Sequence, residues 1–206
     1  MISHYDWPGG REAMLRFGPA EGPVVVAALP LFEEANRTRT FVVTILRMLA
    51  ARGIASALPD VPGQGESLLP TSEARLGAMH ETFAAIPGAY TMAIRSGALF
   101  DTGARKGRWH LSPQSGTDLV RELNRLQQAG ESADFGGNTL SASLLAELEG
   151  VEAVPARIVR LESDPKPADL KFAGNPLWRR SEPDNDLALA TLLADDIAAW
   201  VRACEG

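Results

Sequence analysis

The residues that could do chemistry lie in three polar segments, each directly after a short apolar run. The segments are PLFEEANRTR at 30–39, DVPGQGES at 60–67 and RSG at 95–97. Their carboxylates, amide, arginine and serine are groups suited to acid–base work, nucleophilic attack or anion binding. The candidate site residues are Leu31 (for its backbone N–H), Glu33, Glu34, Asn36, Asp60, Arg95 and Ser96.

The third segment has the spacing of a strained strand-to-helix turn that exposes a nucleophile. In the pattern G-x-S-x-G, small residues stand two positions before and after the nucleophile, because the two backbones pass close together. With Ser96 as the nucleophile, the branched Ile94 would stand where a small residue is needed. With Arg95 at the apex, the flanking residues are Ala93 and Gly97, both small. The spacing therefore favours Arg95, whose guanidinium stays protonated and cannot attack an ester.

The three histidines are poorly placed for a hydrolytic triad. A serine triad on such a turn has the chain order nucleophile, acid, histidine, but the histidines here are His4, His80 and His110. No histidine follows residue 110, so Asp164, which stands where an acid could lie, has no base to orient. Cys204, near the end of the last predicted helix, is no better placed as a nucleophile. We therefore do not expect an intact triad.

The composition indicates one ordinary globular domain over residues 1–206. Of the 206 residues, 45% are hydrophobic and 22% are charged, which excludes a disordered or collagen-like chain. Twenty basic residues against 26 acidic ones give a net charge of −6, and no basic run is present. Because a nucleic-acid partner would need clustered positive charge, we do not expect one.

Metals, cofactors and membrane insertion are likewise not expected. The single cysteine excludes an internal disulfide and a thiolate metal site, and it is typical of a reducing, cytoplasmic compartment. Gly63 and Gly65 form a turn signal, but the third glycine of a dinucleotide site is missing. The longest apolar run, Val24 to Phe32, is too short to span a bilayer.

The polar segments need elements that hold them at one edge of a sheet. Apolar runs predict a hairpin within Ile2 to Phe17 and strands at 24–29, 54–58, 90–94, 107–111 and 156–161. Periodicity and capping signals predict helices at 40–51, 98–104, 117–128, 141–150 and 184–204. A further helix is predicted to begin at a cap on Thr71 or Ser72 and to end at residue 86. This alternation indicates an α/β fold with a doubly wound, mostly parallel sheet and helices on both faces. The carboxyl ends of its strands would bring the polar segments together.

The order of these segments resembles the second family of α/β-hydrolase-fold proteins associated with the exosortase A system. The resemblance is carried by 30–39, LPDVPGQGES at 58–67, AIRSG at 93–97, the W-x-L-S-P motif and its continuation at 109–125, GNTLSASLLAELEG at 137–150 and GNPLW at 174–178. It implies a hydrolase-like fold. This chain departs from the family pattern at Ala93, where glycine is usual, at Ser96, where leucine is usual, and in having little or no room for a lid. The resemblance also implies a bacterial cytoplasmic protein linked to exopolysaccharide export or protein sorting.

Two functions stay open for the site. In the first, the triad is absent and the site binds a ligand or serves structure. Glu33 or Glu34 would then pair with Arg95, or Arg95 and Asn36 would bind an anionic or carbohydrate ligand. In the second, the chain is an esterase or acyl-transfer enzyme that uses Ser96 with a non-standard base.

Other residues have supporting roles in these hypotheses. The backbone N–H groups of Ser96 and Leu31 would form an oxyanion hole. Asp60 would cap a loop, and Trp178 would cover the mouth of the pocket. The ligand would be a small acyl or carbohydrate molecule. A homodimer or a partner in an export system, docked through the last helix, is a third hypothesis.

Overall fold

An eight-stranded sheet forms the centre of the structure, a computed structural model that describes residues 1–129 and 134–206. The strands are β1 (Ile2–Trp7), β2 (Gly10–Phe17), β3 (Val24–Ala28), β4 (Ala55–Pro59), β5 (Tyr90–Ile94), β6 (Gly107–Leu111), β7 (Arg157–Leu161) and β8 (Leu170–Phe172). Their order across the sheet is β1-β2-β4-β3-β5-β6-β7-β8. The β1–β2 and β2–β4 pairs are antiparallel and all other pairs are parallel.

In the part of the chain that the structure describes, five helices cover the two faces of this sheet. They are α1 (Glu33–Ala51), α2 (Leu76–Ala84), α3 (Gly116–Ala129), α4 (Ala142–Leu148) and α5 (Leu187–Glu205). Short 3₁₀ turns lie at Thr71–Glu73, Arg95–Leu99 and Leu177–Arg179. Buried side chains of α1 and α5 form the core on one face, and those of α2, α3 and α4 form it on the other. The predicted doubly wound, mostly parallel sheet with helices on both faces is confirmed.

The unbroken apolar run of β3 follows from this two-sided core. Val25 and Ala27 pack into the α1–α5 core, whereas Val26 and Ala28 pack into the opposite one. Because successive side chains of a strand point to opposite faces, a strand that is buried on both sides has no polar alternation. The strand carboxyl ends, which lead into the three polar segments, are thereby fixed by packing from both directions.

The helical boundaries differ from the predictions at several places. The first helix begins at Glu33 rather than at residue 40, although its first two turns have no apolar periodicity. Acidic side chains at Glu33 and Glu34 suit the positive end of the helix dipole there. The helix predicted at 98–104 is wrong, because a 3₁₀ turn ends at Leu99 and an irregular segment follows.

The predicted caps at Thr71 and Ser72 are also wrong for the second helix. These residues belong to a separate 3₁₀ turn, and α2 begins later, at Leu76. The backbone N–H of Leu76 donates to a carboxylate oxygen of Glu147, at 2.8 Å. A side chain of α4 therefore satisfies an N–H of α2 that a residue next to the helix would ordinarily satisfy.

None of the helices in the described part of the chain combines the length and the apolar character of a membrane span.

Candidate functional site

Arg95 lies at the apex of a tight turn between β5 and the following 3₁₀ turn. Its φ angle is 53°, a left-handed backbone conformation that side-chain-bearing residues seldom adopt. Both flanking small residues, Ala93 and Gly97, are buried. A Cβ atom at Gly97 would lie 2.5 Å from the carbonyl oxygen of Ala28 and 2.6 Å from that of Leu29. The turn therefore brings two backbones as close together as the spacing predicts.

The side chain of Arg95 is held by two carboxylates and an indole ring. Its Nε atom lies 3.3 Å from Oε2 of Glu34, and its Nη2 atom lies 3.2 Å from Oε2 of Glu122. The guanidinium carbon lies 5.4 Å from the ring centroid of Trp178, within cation–π range. Only 12% of the Arg95 side chain is exposed. The predicted pairing with Glu33 or Glu34 therefore forms with Glu34.

The electrostatics of Glu34 depend on this arginine. Burial raises the pKa of the Glu34 carboxyl above its ordinary value, and the charge and hydrogen bonds of Arg95 offset part of that rise. The nearby Glu122 carboxylate acts in the opposite direction and raises the pKa of Glu34 slightly further. Glu122 also accepts a hydrogen bond from Nε2 of Gln114, at 2.8 Å. The arginine thus bridges α1 and α3 across the apex of the turn.

The hydroxyl of Ser96 faces inward and is already bonded. Its Oγ atom accepts a hydrogen bond from the backbone N–H of Leu31, at 2.9 Å, and the whole residue is buried. The next amide along the chain, the N–H of Phe32, donates to Oε1 of Gln64, at 2.8 Å. These two N–H groups, in the loop after β3, are therefore occupied by side chains of this protein. Of the two predicted oxyanion-hole donors, the backbone N–H of Leu31 is therefore used by the Ser96 side chain.

Asp60 lies away from the apex of the turn. Its buried carboxylate is 2.9 Å from Nη1 of Arg39, and its backbone carbonyl accepts a hydrogen bond from the hydroxyl of Tyr5. Burial raises the pKa of Tyr5, and the charges of Glu12 and Asp60 add to that rise. In place of the predicted loop cap, Asp60 is thus the centre of a small cluster that ties the hairpin to α1.

Asn36 and Glu33 interact with each other rather than with Arg95. Nδ2 of Asn36 lies 3.4 Å from Oε2 of Glu33, and the Glu33 carboxylate lies 3.6 Å from Nε of Arg37. Asn36 and Arg95 line different cavities. The structure therefore does not bring together the Arg95–Asn36 ligand site that the sequence suggests.

The acid after β7 is held in an ion pair. Oδ2 of Asp164 lies 2.6 Å from Nη1 of Arg160, and its other oxygen accepts from the backbone N–H of Lys166, at 3.0 Å. Burial works against ionisation of Asp164, yet these hydrogen bonds hold its pKa below the ordinary value. The carboxylate at this position therefore carries its charge without a histidine partner.

A buried histidine–carboxylate pair lies in the sheet. Nε2 of His110 on β6 lies 2.8 Å from Oδ2 of Asp101, which also accepts from the hydroxyl of Thr91, at 2.7 Å. His110 and Asp101 are both buried. His80 on α2 bonds the carbonyl of Leu99 through Nε2, at 2.8 Å. The sequence gives no indication of the His110–Asp101 pair. Asp101 follows a turn, and the sequence does not show in which direction the chain leaves that turn.

Three of the cavities that the described residues line adjoin these segments. The loop cavity, of about 440 Å³, lies between the segments 28–39 and 59–71. The polar cavity, of about 370 Å³, is lined by Ser112, Gln114, Arg160, Asp164 and Lys166, among others. The apolar cavity, of about 450 Å³, is lined by Leu31, Phe32, Leu119, Leu123 and Leu126, among others. Arg95 and Trp178 line both the polar and the apolar cavity, so these two meet at the apex of the turn.

The described ranges contain no metal-binding group. No three histidine, cysteine, aspartate or glutamate side chains come together there as ligands of an ion. What the arrangement offers instead is a fixed cation, Arg95, between a polar and an apolar space. Such a site can bind and orient a ligand, but Arg95 supplies only hydrogen-bond donors.

This chain resembles known proteins in structure, but no match was found by sequence. No family model matches this chain, and no curated protein matches it. Solved structures do match. A haloalkane dehalogenase loop variant from Bradyrhizobium elkanii has a TM-score of 0.68 at 11% identity, covering 100% of this chain and 97% of that one. A thermophilic esterase from Thermogutta terrifontis has a TM-score of 0.58 at 13% identity, covering 100% of both chains.

A third match has the same character. The thioesterase domain from the curacin biosynthetic pathway has a TM-score of 0.55 at 14% identity and covers 98% of each chain. Identities this low speak for the shared architecture alone. The strand order, the turn after β5 and these likenesses together show that the chain has the α/β-hydrolase fold.

Proposed function

We propose that this protein is a non-hydrolytic α/β-hydrolase-fold protein that binds a ligand or acts as an accessory factor. The single observation that carries the proposal is Arg95 at the apex of the turn, held by Glu34, Glu122 and Trp178. A protonated guanidinium at the position of a nucleophile cannot form an acyl intermediate. The cytoplasmic location and the role in exopolysaccharide or protein-sorting systems are proposed from the order of sequence motifs alone.

The condition of Ser96 supports the same proposal. A nucleophilic serine must present its hydroxyl to the substrate and to a base within hydrogen-bond reach. The Ser96 hydroxyl is buried and accepts a hydrogen bond from Leu31, so it faces the protein interior. An oxyanion hole also needs free N–H donors, and the amides of Leu31 and Phe32 both donate to side chains.

The positions of the possible bases add a third argument. His110, the last histidine along the chain, is buried against Asp101, with its Nε2 atom engaged and its Nδ1 atom without a partner among the described residues. The acid after β7, Asp164, pairs with Arg160. A hydrolytic cycle needs a base within hydrogen-bond reach of the nucleophile, and among the described residues neither of these groups bonds to Ser96.

The esterase hypothesis has one observation in its favour. An esterase and a thioesterase domain are among the solved structures with this fold. Under that alternative, the Ser96 side chain would have to leave Leu31 and turn outward. We rank it second because the fold alone supports it.

A labelling experiment separates the two functions. Because Arg95 has no hydroxyl and the hydroxyl of Ser96 is bonded to the backbone N–H of Leu31, we expect a fluorophosphonate probe not to label the wild-type protein, and activated acetate and butyrate esters to be hydrolysed at the buffer rate. Intact-mass spectrometry and ester absorbance measure the two outcomes. An active serine esterase serves as the positive control for the probe.

Two variants identify any reactive serine. Ser96→Ala removes the candidate nucleophile, and Ser112→Ala removes another buried serine at a strand end. If the wild type is labelled and the label disappears in Ser96→Ala, the esterase hypothesis is correct and the proposal fails. A label that disappears only in Ser112→Ala would also contradict a non-hydrolytic function, and would move the nucleophile to β6.

A further inference from the structure

We propose that the polar and apolar cavities together bind one amphipathic anion. Its carboxylate or phosphate head would lie in the polar cavity, held by Arg125 and Arg179, and its single apolar chain would lie in the apolar cavity. The inference rests on the proposed function, since it names the ligand class of the same site. Five residues line both cavities and mark where the head meets the chain: Arg95, Glu122, Arg125, Trp178 and Arg179.

The charges of the polar cavity select an anion. Its lining contains six basic side chains against three acidic ones. The basic side chains are Arg95, Arg121, Arg125, Arg160, Lys166 and Arg179, and the acidic ones are Asp118, Glu122 and Asp164. This excess of positive charge stands out in a chain with a net charge of −6. Electrostatic complementarity therefore favours a negative group over a cation in this space.

Two of the six basic side chains are free to bind it. Arg95, Arg121, Arg160 and Lys166 all form ion pairs with carboxylates. Arg125 and Arg179 form no ion pair with any residue in the described ranges, and both are exposed at the rim. A guanidinium binds a carboxylate or phosphate through two parallel hydrogen bonds, which suits a head group placed between them.

Buried polar atoms in the same cavity point to a ligand as well. Ser112 and Gln114 are 1% and 3% exposed, and both line the polar cavity. The Ser112 Oγ and Gln114 Oε1 atoms have no hydrogen-bond partner among the described residues. Because buried polar groups are nearly always bonded, the unpartnered Ser112 hydroxyl suits the polar end of a ligand, whereas the amide oxygen of Gln114 only accepts hydrogen bonds and would not bind an ionised head. The Ser112 hydroxyl can donate to an oxyanion, alongside the two arginines.

The apolar cavity supplies the second half of the site. Its walls contain Leu31, Phe32, Leu119, Leu123 and Leu126, and Leu126 is 45% exposed. A carbohydrate would leave these walls without a partner, whereas an alkyl or acyl chain would cover them. The combination of a basic rim and an apolar space therefore favours an amphipathic anion over either a sugar or a neutral lipid.

Calorimetry with simple amphiphiles tests the inference. Decanoate and decyl phosphate, below their micelle concentrations, distinguish a carboxylate from a phosphate head. Decyltrimethylammonium has the same chain with the opposite charge, and acetate has the head without the chain. We expect at least one of the two anions to bind, and the cation and acetate to bind at least tenfold more weakly. Equal binding of the cation would overturn the proposal.

Matched variants locate the head group. Arg125→Gln with Arg179→Gln is expected to weaken binding of the anion about tenfold or more, the usual effect of losing charge-assisted hydrogen bonds. The control pair is Arg47→Gln with Arg105→Gln, two exposed arginines that line none of the three cavities and change the net charge equally. Equal weakening in both pairs would reduce the effect to net charge and overturn the assignment.

A second matched pair locates the chain. Leu126→Gln is expected to weaken decanoate binding roughly fivefold, since it removes part of the apolar wall. Leu192→Gln on α5 is its control, because Leu192 is 43% exposed and lies outside the three cavities. Both leucines are exposed enough that neither variant should affect folding, which thermal unfolding checks. Unchanged binding in Leu126→Gln would overturn the placement of the chain.

The readouts separate this inference from the proposed function. Anion binding together with Ser96-dependent fluorophosphonate labelling would leave the binding site standing and refute the non-hydrolytic function. Absence of both labelling and anion binding would refute the ligand class while leaving the non-hydrolytic function intact.

Discussion

Replacing Gly97 with alanine is expected to lower the free energy of unfolding by about 3 kcal/mol, at the upper end of the range for overpacked sites. The new Cβ atom would lie 2.5 Å and 2.6 Å from the carbonyl oxygens of Ala28 and Leu29. Both contacts are with backbone atoms at the end of β3, which cannot rotate away as a side chain could. The residue has no left-handed φ angle, so the effect is steric rather than conformational. Urea unfolding followed by circular dichroism measures it.

Gly77→Ala is the matched control for this experiment. Gly77 lies in α2, where an added Cβ atom would meet nothing within 4 Å. Because alanine is the better helix former, this variant is expected to gain up to about 1 kcal/mol. The close approach of the two backbones predicts a large loss for Gly97→Ala. If the free energy of unfolding falls by less than about 1 kcal/mol, the turn after β5 can relax. Such a result would also weaken the case for Arg95 at its apex.

Replacing Arg95 with methionine is expected to cost about 2 kcal/mol at pH 7. Removing one member of a buried ion pair leaves the other charge without compensation, which costs about 3–5 kcal/mol when burial is complete. We expect a smaller loss here because the Glu34 side chain keeps 17% of its exposure. Glu122, at 45% exposed, is better hydrated and adds little to the loss. Chemical unfolding of the purified variant measures the difference.

The pH dependence of that loss has a defined sign. Without Arg95, burial and the charge of Glu122 still raise the pKa of Glu34 and only the charge of Arg37 opposes them, so this pKa in the folded variant rises further above its unfolded value. The folded state then favours the protonated carboxyl, and the variant gains stability relative to the wild type as the pH falls through that raised pKa. The deficit is therefore largest at neutral pH and above. Unfolding measured at several pH values from 4 to 8 tests this.

Two further variants make the result specific to the pair. The double variant Arg95→Met with Glu34→Gln is expected to recover much of the loss and to remove its pH dependence, because no buried charge remains. Arg121→Met breaks an ion pair with Asp118 whose members are 56% and 34% exposed, and is expected to cost less than about 1 kcal/mol. A deficit that does not change with pH would show that Arg95 acts through packing rather than through its charge.

Much of the sheet could be predicted because its strands are buried on both faces. β5 and β6 appear at the predicted residues, 90–94 and 107–111, where polar residues follow each strand directly, Arg95 after β5 and Ser112 after β6. The strand β8, Leu170–Phe172, was missed because three residues carry no detectable period. The first two turns of α1 were missed for a related reason. They contain EEANRTR, whose polar side chains lie at an edge of the sheet where no apolar stripe is required.

The candidate site was likewise predictable only in part. The apex position of Arg95 and its pairing with an acid of the loop after β3 depend on local spacing, so the sequence contained both. Glu122 and Gln64 were missed because each comes from a distant segment and reaches the apex or the loop only after the chain folds. The inward direction of the Ser96 hydroxyl could not be predicted either, because a side-chain rotamer is set by its packed neighbours.

Because the amides of Leu31 and Phe32 already donate to side chains, converting this protein into an esterase would take several substitutions. Installing a serine with Arg95→Ser would supply a nucleophile but leave both amides bonded to Ser96 and Gln64. Freeing them would need changes at those two positions, and proton transfer would need a histidine engineered within reach of position 95. An engineer would therefore face four coordinated substitutions, two of them at neighbouring positions 95 and 96 and one at Gln64, which a library that samples one position at a time would not combine.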